Sequence, residues 1–349
     1  MSHPRWSTLP LSVALLAGCA DTNAPLPEPQ EVLLAVNRTA NTLSIVPVDD
    51  PSSAASVPLG GTGSTPTGVS ARGAMAIVPL GLADAVAVVD LRTRAVVRRV
   101  ALPDSSGATG SAVIDDSIAY VANPNLNSVS RVNYLEGTTA ELVVGRHPRG
   151  LIFTRGRLFV LSGKLDDTLV TIGPGWLSVV DPASNKLASG RDSIPLTGPG
   201  NAGFATVAVN GLMYVMSTGS SNQDEGRLSI VDPVARVETA SFSGFGANPG
   251  SVAADADSKV YASSYVEGLL VFDTDSNKVV RGAGDGVPIP SNSAVAVDSR
   301  NRIYAIEAGP CRAGRPGKAH VLGPDLAELR TITLGDCPSG AAVVQIPPE

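Results

Sequence analysis

Histidine, cysteine and aromatic side chains are scarce in this chain, and each shortage removes a class of function. Beyond residue 18 only two histidines occur, His147 and His320, with no HExxH helix, no paired-histidine spacing and no Gly-x-Ser-x-Gly elbow. Zinc-dependent hydrolysis and serine-nucleophile chemistry therefore lack their usual side chains. Two of the three cysteines, Cys311 and Cys337, have no histidine partner pattern beside them, which argues against a catalytic thiol. Lys and Arg number 26 against 32 Asp and Glu, a net charge of -6 without a basic stripe, so nucleic acid is not an expected partner. No apolar run approaches the ~20 residues of a membrane-spanning helix. Long helical periodicities are missing too, whereas 36 Gly and 27 Pro point to a turn-dense all-β chain.

One short phrase returns seven times. A tripeptide usually ending in Gly opens an apolar strand, which is followed by a tight polar turn and a second strand centred on an aromatic residue or Ala. The third tripeptide positions are Gly68, Gly110, Gly150, Gly203, Gly250, Ser293 and Gly340, at intervals of 42, 40, 53, 47, 43 and 47 residues. Strand-rich periods of this size predict a ring of four-stranded blades, a seven-bladed β-propeller. The second strands run through Ala35, Ala76, Tyr120, Phe159, Tyr214, Tyr261 and Tyr304. Third strands such as Leu228 to Asp232 and Leu269 to Asp273 stop at Asp or Asn, whose side chains start turns. Both ends of the array are degenerate, with Pro47 in unit one and Gly323 in unit seven where that Asp would stand.

The termini predict how the ring closes. The last apolar run, Gly340 to Gln345, has the character of an inner strand with nothing after it, and Val32 to Asn37 is a second strand lacking an inner one. Pairing them completes blade one and hides two open sheet edges.

The amino terminus carries Arg5 and then a short apolar run ending in Leu16-Ala17-Gly18-Cys19. This resembles a bacterial lipoprotein signal. The resemblance implies cleavage before Cys19, lipidation of its thiol and a membrane partner. Ala20 in the next position, in place of Asp, favours an outer-membrane address. Residues 1–18 are thus expected to be the signal peptide, and 19–30 the lipidated Cys and a tether containing Pro25, Pro27 and Pro29. In polyproline geometry, ~3.1 Å per residue, the tether reaches roughly 30 Å. Residues 31–349 make the ring. In the oxidising compartment that export implies, Cys311 and Cys337 are expected to form a disulfide, with two free buried thiols as the alternative.

Tyr120-Val121-Ala122-Asn123 followed by Asn127-Ser128-Val129-Ser130 resembles the YVTN-type β-propeller repeat. Val271-Phe272-Asp273-Thr274-Asp275-Ser276-Asn277-Lys278-Val279-Val280 is similar to its other half, and Val144-Gly145-Arg146-His147-Pro148-Arg149-Gly150 to its link between blades. The resemblance covers units two to six well and the end units loosely. It implies the fold and leaves function open, because such propellers include envelope proteins of unknown role beside relatives with lactonase activity.

In a propeller, the inner strand starts on the face to which the turn between second and third strands returns. The long insertions Gly163 to Gly175, Thr218 to Gly226 and Ala308 to Gly317 are all such turns and crowd that face. Side chains able to reach its mouth are His147, Arg149, Asn201, Asn248, Asn292 and Glu307. Their competing readings are structural: the three Asn cap turns, His147 and Arg149 line a solvated funnel, and Glu307 pairs with Arg312 or Arg315. Asp115-Asp116, Asp255, Asp257 and Asp298 fall on the opposite face as turn residues. The leading expectation is a non-catalytic module, without cofactor, that binds a protein, glycan or small molecule through the loop-rich face. The alternative is a periplasmic lactonase-like, metal-assisted hydrolase using Glu307 and the Asn residues, for which calcium would be the ion.

Overall fold

The computed structural model describes residues 28–61, 63–166 and 168–348. The expected signal peptide, the lipidation site Cys19 and most of the tether lie outside the described residues. Seven antiparallel sheets form a ring. Taken from blade one to blade seven, the inner strands are Pro338–Ile346, Ser70–Arg72, Ser111–Val113, Pro148–Thr154, Ala202–Val207, Pro249–Ala254 and Asn292–Val297. Six blades have four strands. In blade four an added strand, Ser193–Pro195, pairs with Trp176–Asp181 beside Lys186–Leu187. Among the described residues there is no α-helix, only the 3-10 turns Pro51–Ser53 and Pro124–Leu126, and no helix long and apolar enough to cross a membrane.

Burial explains the strand sequences. Middle strands are covered by a neighbouring blade on both faces, so they run apolar without alternation; Ile118–Asn123 is buried at every position. Outer strands face water and read polar, as Thr138–Val143 does. The core is accordingly divided into clusters between blades. One joins Leu34 and Leu43 of blade one to Ala76 and Val78 of blade two.

The repeated glycine has a steric cause. A Cβ on Gly68 would lie 2.9 Å from the Thr109 carbonyl oxygen of the next blade. On Gly110 it would overlap the carbonyl of Arg149, on Gly150 that of Gly203, and on Gly340 that of Thr67. At these four positions inner strands approach one another main chain to main chain around the axis, and glycine leaves room. A register shift accompanies the tripeptide in blades four to seven, for example between Pro148 and Gly150. Such bulges bend the strand into the channel.

The Asn that ends the YVTN-like tetrapeptide is also explained. Asn123 Nδ2 donates to Ser128 Oγ at 3.2 Å and Ser130 Oγ at 2.9 Å, tying the second strand to the third. Asn37 does the same in blade one with Thr42 and Ser44, both at 2.9 Å. On the opposite face, Asp255 and Asp298 accept backbone N–H groups of their turns and, in addition, a tyrosine hydroxyl. Tyr261 and Tyr304 each donate to these carboxylates at 2.9 Å. Burial first, and then the adjacent carboxylate, push both phenols far above their ordinary range.

The ring closes as its ends predict. Gln30–Asn37 pairs antiparallel with Pro338–Ile346, with Val32 opposite Val344 and Val36 opposite Gly340. The disulfide Cys311–Cys337 is formed, with Cα atoms 4.3 Å apart. Both cysteines belong to the seventh sequence unit, yet Cys337 directly precedes the closing strand. The bridge therefore ties a loop of blade seven to the inner strand of blade one, across the seam.

Candidate functional site

The inner strands of six blades, with Thr67, Gly68 and Val69 leading into that of blade two, line a central channel of about 330 Å³. Over blades one to five it meets a mouth of about 490 Å³ on the loop-rich face. Thr67, Thr109 and Arg149 line both cavities.

Arg149 stands at this junction because it precedes the bulge glycine of blade four. It is half-buried, with its guanidinium carbon 6.0 Å from the centre of the Phe204 ring, within reach of a cation–π contact. Its Nη1 donates to Asn201 Oδ1 at 3.0 Å, and Asn201 Nδ2 donates to the Gly219 carbonyl at 3.2 Å. The surrounding protein partly shields the guanidinium from water and lowers its affinity for the proton below the ordinary value. No carboxylate opposes that effect. His147, in the same mouth, is likewise shifted down, first by burial and then by Arg149 and Arg146. Among the described residues, the ionisable side chains lining the two cavities are Arg38, His147 and Arg149, with no Asp or Glu. A chain of net charge -6 thus has a cationic passage at its centre.

The six candidates separate. His147, Arg149 and Asn201 come together in the mouth. Asn248 does not join them; its side chain exchanges two bonds with Asn222, Asn248 Nδ2 donating to Asn222 Oδ1 at 2.8 Å and Asn248 Oδ1 accepting from the Asn222 N–H at 3.0 Å. Asn292 is buried and donates to the Gly268 carbonyl at 3.0 Å. Glu307 meets neither Arg312 nor Arg315. His320 Nε2 lies 2.9 Å from Glu307 and His320 Nδ1 lies 2.8 Å from Glu328, in a chain across three strands of blade seven. Among the described residues no group of three or more His, Cys, Asp or Glu side chains is placed to hold a metal ion. Asn292 is paired across the strands with Glu307, while Asn201 bonds Arg149 and Asn248 bonds Asn222.

The turn reading of the Asn residues holds for two of them. His147, Asn201 and Asn248 have φ of 52°, 56° and 53°, in the left-handed region where Asn is tolerated. Asn201 combines that backbone role with orientation of Arg149.

Sequence reasoning missed the apolar rim. Leu82 and Leu169 are 70% and 64% exposed, and Val170, Ile172, Tyr265 and Val266 are exposed with them, all in turns that join second to third strands. The run Leu169-Val170-Thr171-Ile172 inside a polar insertion was the available signal. Phe204 was also missed, because its place against Arg149 depends on neighbouring blades.

No family model and no curated protein matches the chain. Solved structures match its fold. Hydrazine synthase from Kuenenia stuttgartiensis superposes with a TM-score of 0.65 at 15% identity, over 81% of this chain and 91% of that one. A functionally unknown protein from Desulfotomaculum acetoxidans DSM 771 gives 0.67 at 12% identity, over 90% and 99%. At such identities the likeness concerns the fold alone.

Proposed function

We propose that this chain is a YVTN-type propeller that is exported, anchored to the membrane through a lipid on Cys19, and acts as a non-catalytic binding module through its loop-rich face. The observation that carries the reading is the mouth itself. It is concave, ringed by exposed apolar side chains and lined by cations, with Asn201 orienting Arg149. Apolar rims around a few placed polar groups are the usual form of a binding site. Hydrolysis through Glu307 lacks comparable support, since His320 engages that carboxylate and, among the described residues, no group of three or more His, Cys, Asp or Glu side chains is placed to hold a metal ion.

Two measurements test the two halves of the proposal. Metabolic labelling with a palmitate analogue should mark the wild type and not Cys19→Ser, and equal labelling would remove the anchor. Cross-linking in cell envelopes from photoreactive residues at positions 82 and 169 should capture a saturable partner that is missing when the probe sits at 116 on the opposite face. Equal capture from both faces, or none from the mouth, would end the binding reading.

A further inference from the structure

A charge that a fold draws partly out of water commonly has an opposite charge beside it. Arg149 departs from this. It lies between the channel and the mouth, its Nη1 bonds a neutral amide, and burial is what moves its protonation equilibrium. Among the described residues no carboxylate lines either cavity. The guanidinium carries five N–H donors in a planar fork, and a single side-chain amide engages one of them. Phe204 and Asn201 hold the fork in position, so little side-chain freedom remains to be lost when something binds it.

We infer that the passage binds a small organic oxyanion, a carboxylate or phosphate group on a compact body, with Arg149 as the residue that takes its charge. This deepens the binding-module reading and rests on it. Planar, bidentate acceptance from guanidinium is what carboxylate and phosphate oxygens do best. Thr67 and Thr109, which line both cavities, border the path to it. Arg38 adds positive charge to the mouth, and low-dielectric walls focus that potential along the axis. The channel volume, about 330 Å³, suits a small metabolite and excludes a folded partner. Neutral sugars would leave the charge unanswered.

The test is calorimetric titration of the purified full chain with succinate, glycerol phosphate, inorganic phosphate and, as the neutral control, erythritol. Succinate, one of the phosphates, or both should bind, weakening as salt rises, while erythritol stays silent. Arg149→Met should lower the affinity by about 10- to 100-fold, the loss of a charged hydrogen-bonding group. Arg149→Lys, which keeps the charge and loses the fork, should fall between. Melting of ligand-free Arg149→Met at or above the wild-type temperature shows that the variant folds and that the lone cation is held for a ligand. Silence with every anion would overturn the assignment, as would equal binding by wild type and Arg149→Met. Capture of a partner at the rim that persists in Arg149→Met, together with silence toward the anions, would retain the binding module and remove the oxyanion.

Discussion

Leu34 in the first strand stands opposite Ala342 in the last, within one antiparallel sheet. The first and last strands of the ring are thus neighbours in blade one, and among the described residues the seam leaves no free sheet edge between them. Ending the chain after Pro338 removes the inner strand of that blade. It should abolish cooperative melting of the whole ring, measured by circular dichroism, and a truncated chain that melts like the wild type would contradict the closure.

The disulfide makes its own prediction. Cys311 and Cys337 are 26 residues apart and join blade seven to the closing strand. Closing such a loop restricts the unfolded chain by about 3 to 4 kcal/mol in the entropic description. Reduction, or Cys311→Ser with Cys337→Ser, should lower stability by that order in denaturant titrations. Unchanged midpoints with and without reductant would show that the bridge does not hold the seam.

Two glycines at equivalent repeat positions should behave differently. A Cβ on Gly150 overlaps the Gly203 carbonyl oxygen, which is main chain and cannot swing aside, whereas a Cβ on Gly203 meets its nearest atom at 3.9 Å. Gly150→Ala is expected to cost about 3 kcal/mol and Gly203→Ala less than about 1 kcal/mol, from denaturant midpoints. Equal losses would mean that the repeat glycine is not set by axial crowding.

His147 gives the ring a pH dependence of known sign. Its folded-state pKa lies below the ordinary value of 6.5. As pH falls through that ordinary value, the unfolded chain takes up a proton that the folded ring resists, so wild-type stability declines on the acid side. His147→Asn removes the titration, and Asn suits the left-handed backbone there. The variant should melt higher than wild type below about pH 6.5, with the advantage shrinking above about pH 7. A gap that is constant with pH would show that His147 is not the group responsible.

Tyr304 donates to Asp298, whose side chain is fully shielded from solvent and also meets Arg302 at 2.5 Å. Tyr304→Phe leaves that carboxylate one donor short and should destabilise the ring by about 1 to 2 kcal/mol. Chemical denaturation measures it, and no loss would mean that Arg302 and the turn amides satisfy Asp298 alone.

The architecture was legible because its causes are local or periodic. Gly68, Gly110, Gly150 and Gly340 mark the closest approach of neighbouring main chains, so sterics write them into the sequence at blade spacing. The unpaired end strands and the lone cysteine pair gave the closure and the bridge for similar reasons. The site was legible only in part. His147, Arg149 and Asn201 follow from their places at the starts of inner strands, but the partner of Glu307 does not. His320 reaches it diagonally across a sheet, from a strand whose register an intervening loop determines. Asn248 looked equivalent to Asn201, yet the turn residue Asn222 folds back onto it. Such contacts depend on loop conformations that no repeat encodes.

The glycine-lined axis has a consequence for how selectivity can evolve. Where that axis is walled by Gly68, Gly110, Gly150 and Gly340, the bore is not retuned by swapping residues, since a Cβ there runs into a neighbouring carbonyl. Discrimination has to be engraved where side chains still project, and among the described residues that line the channel Arg149 is the one that carries charge. Sequence drift in the outer strands can therefore be wide while the gauge of the passage stays the same.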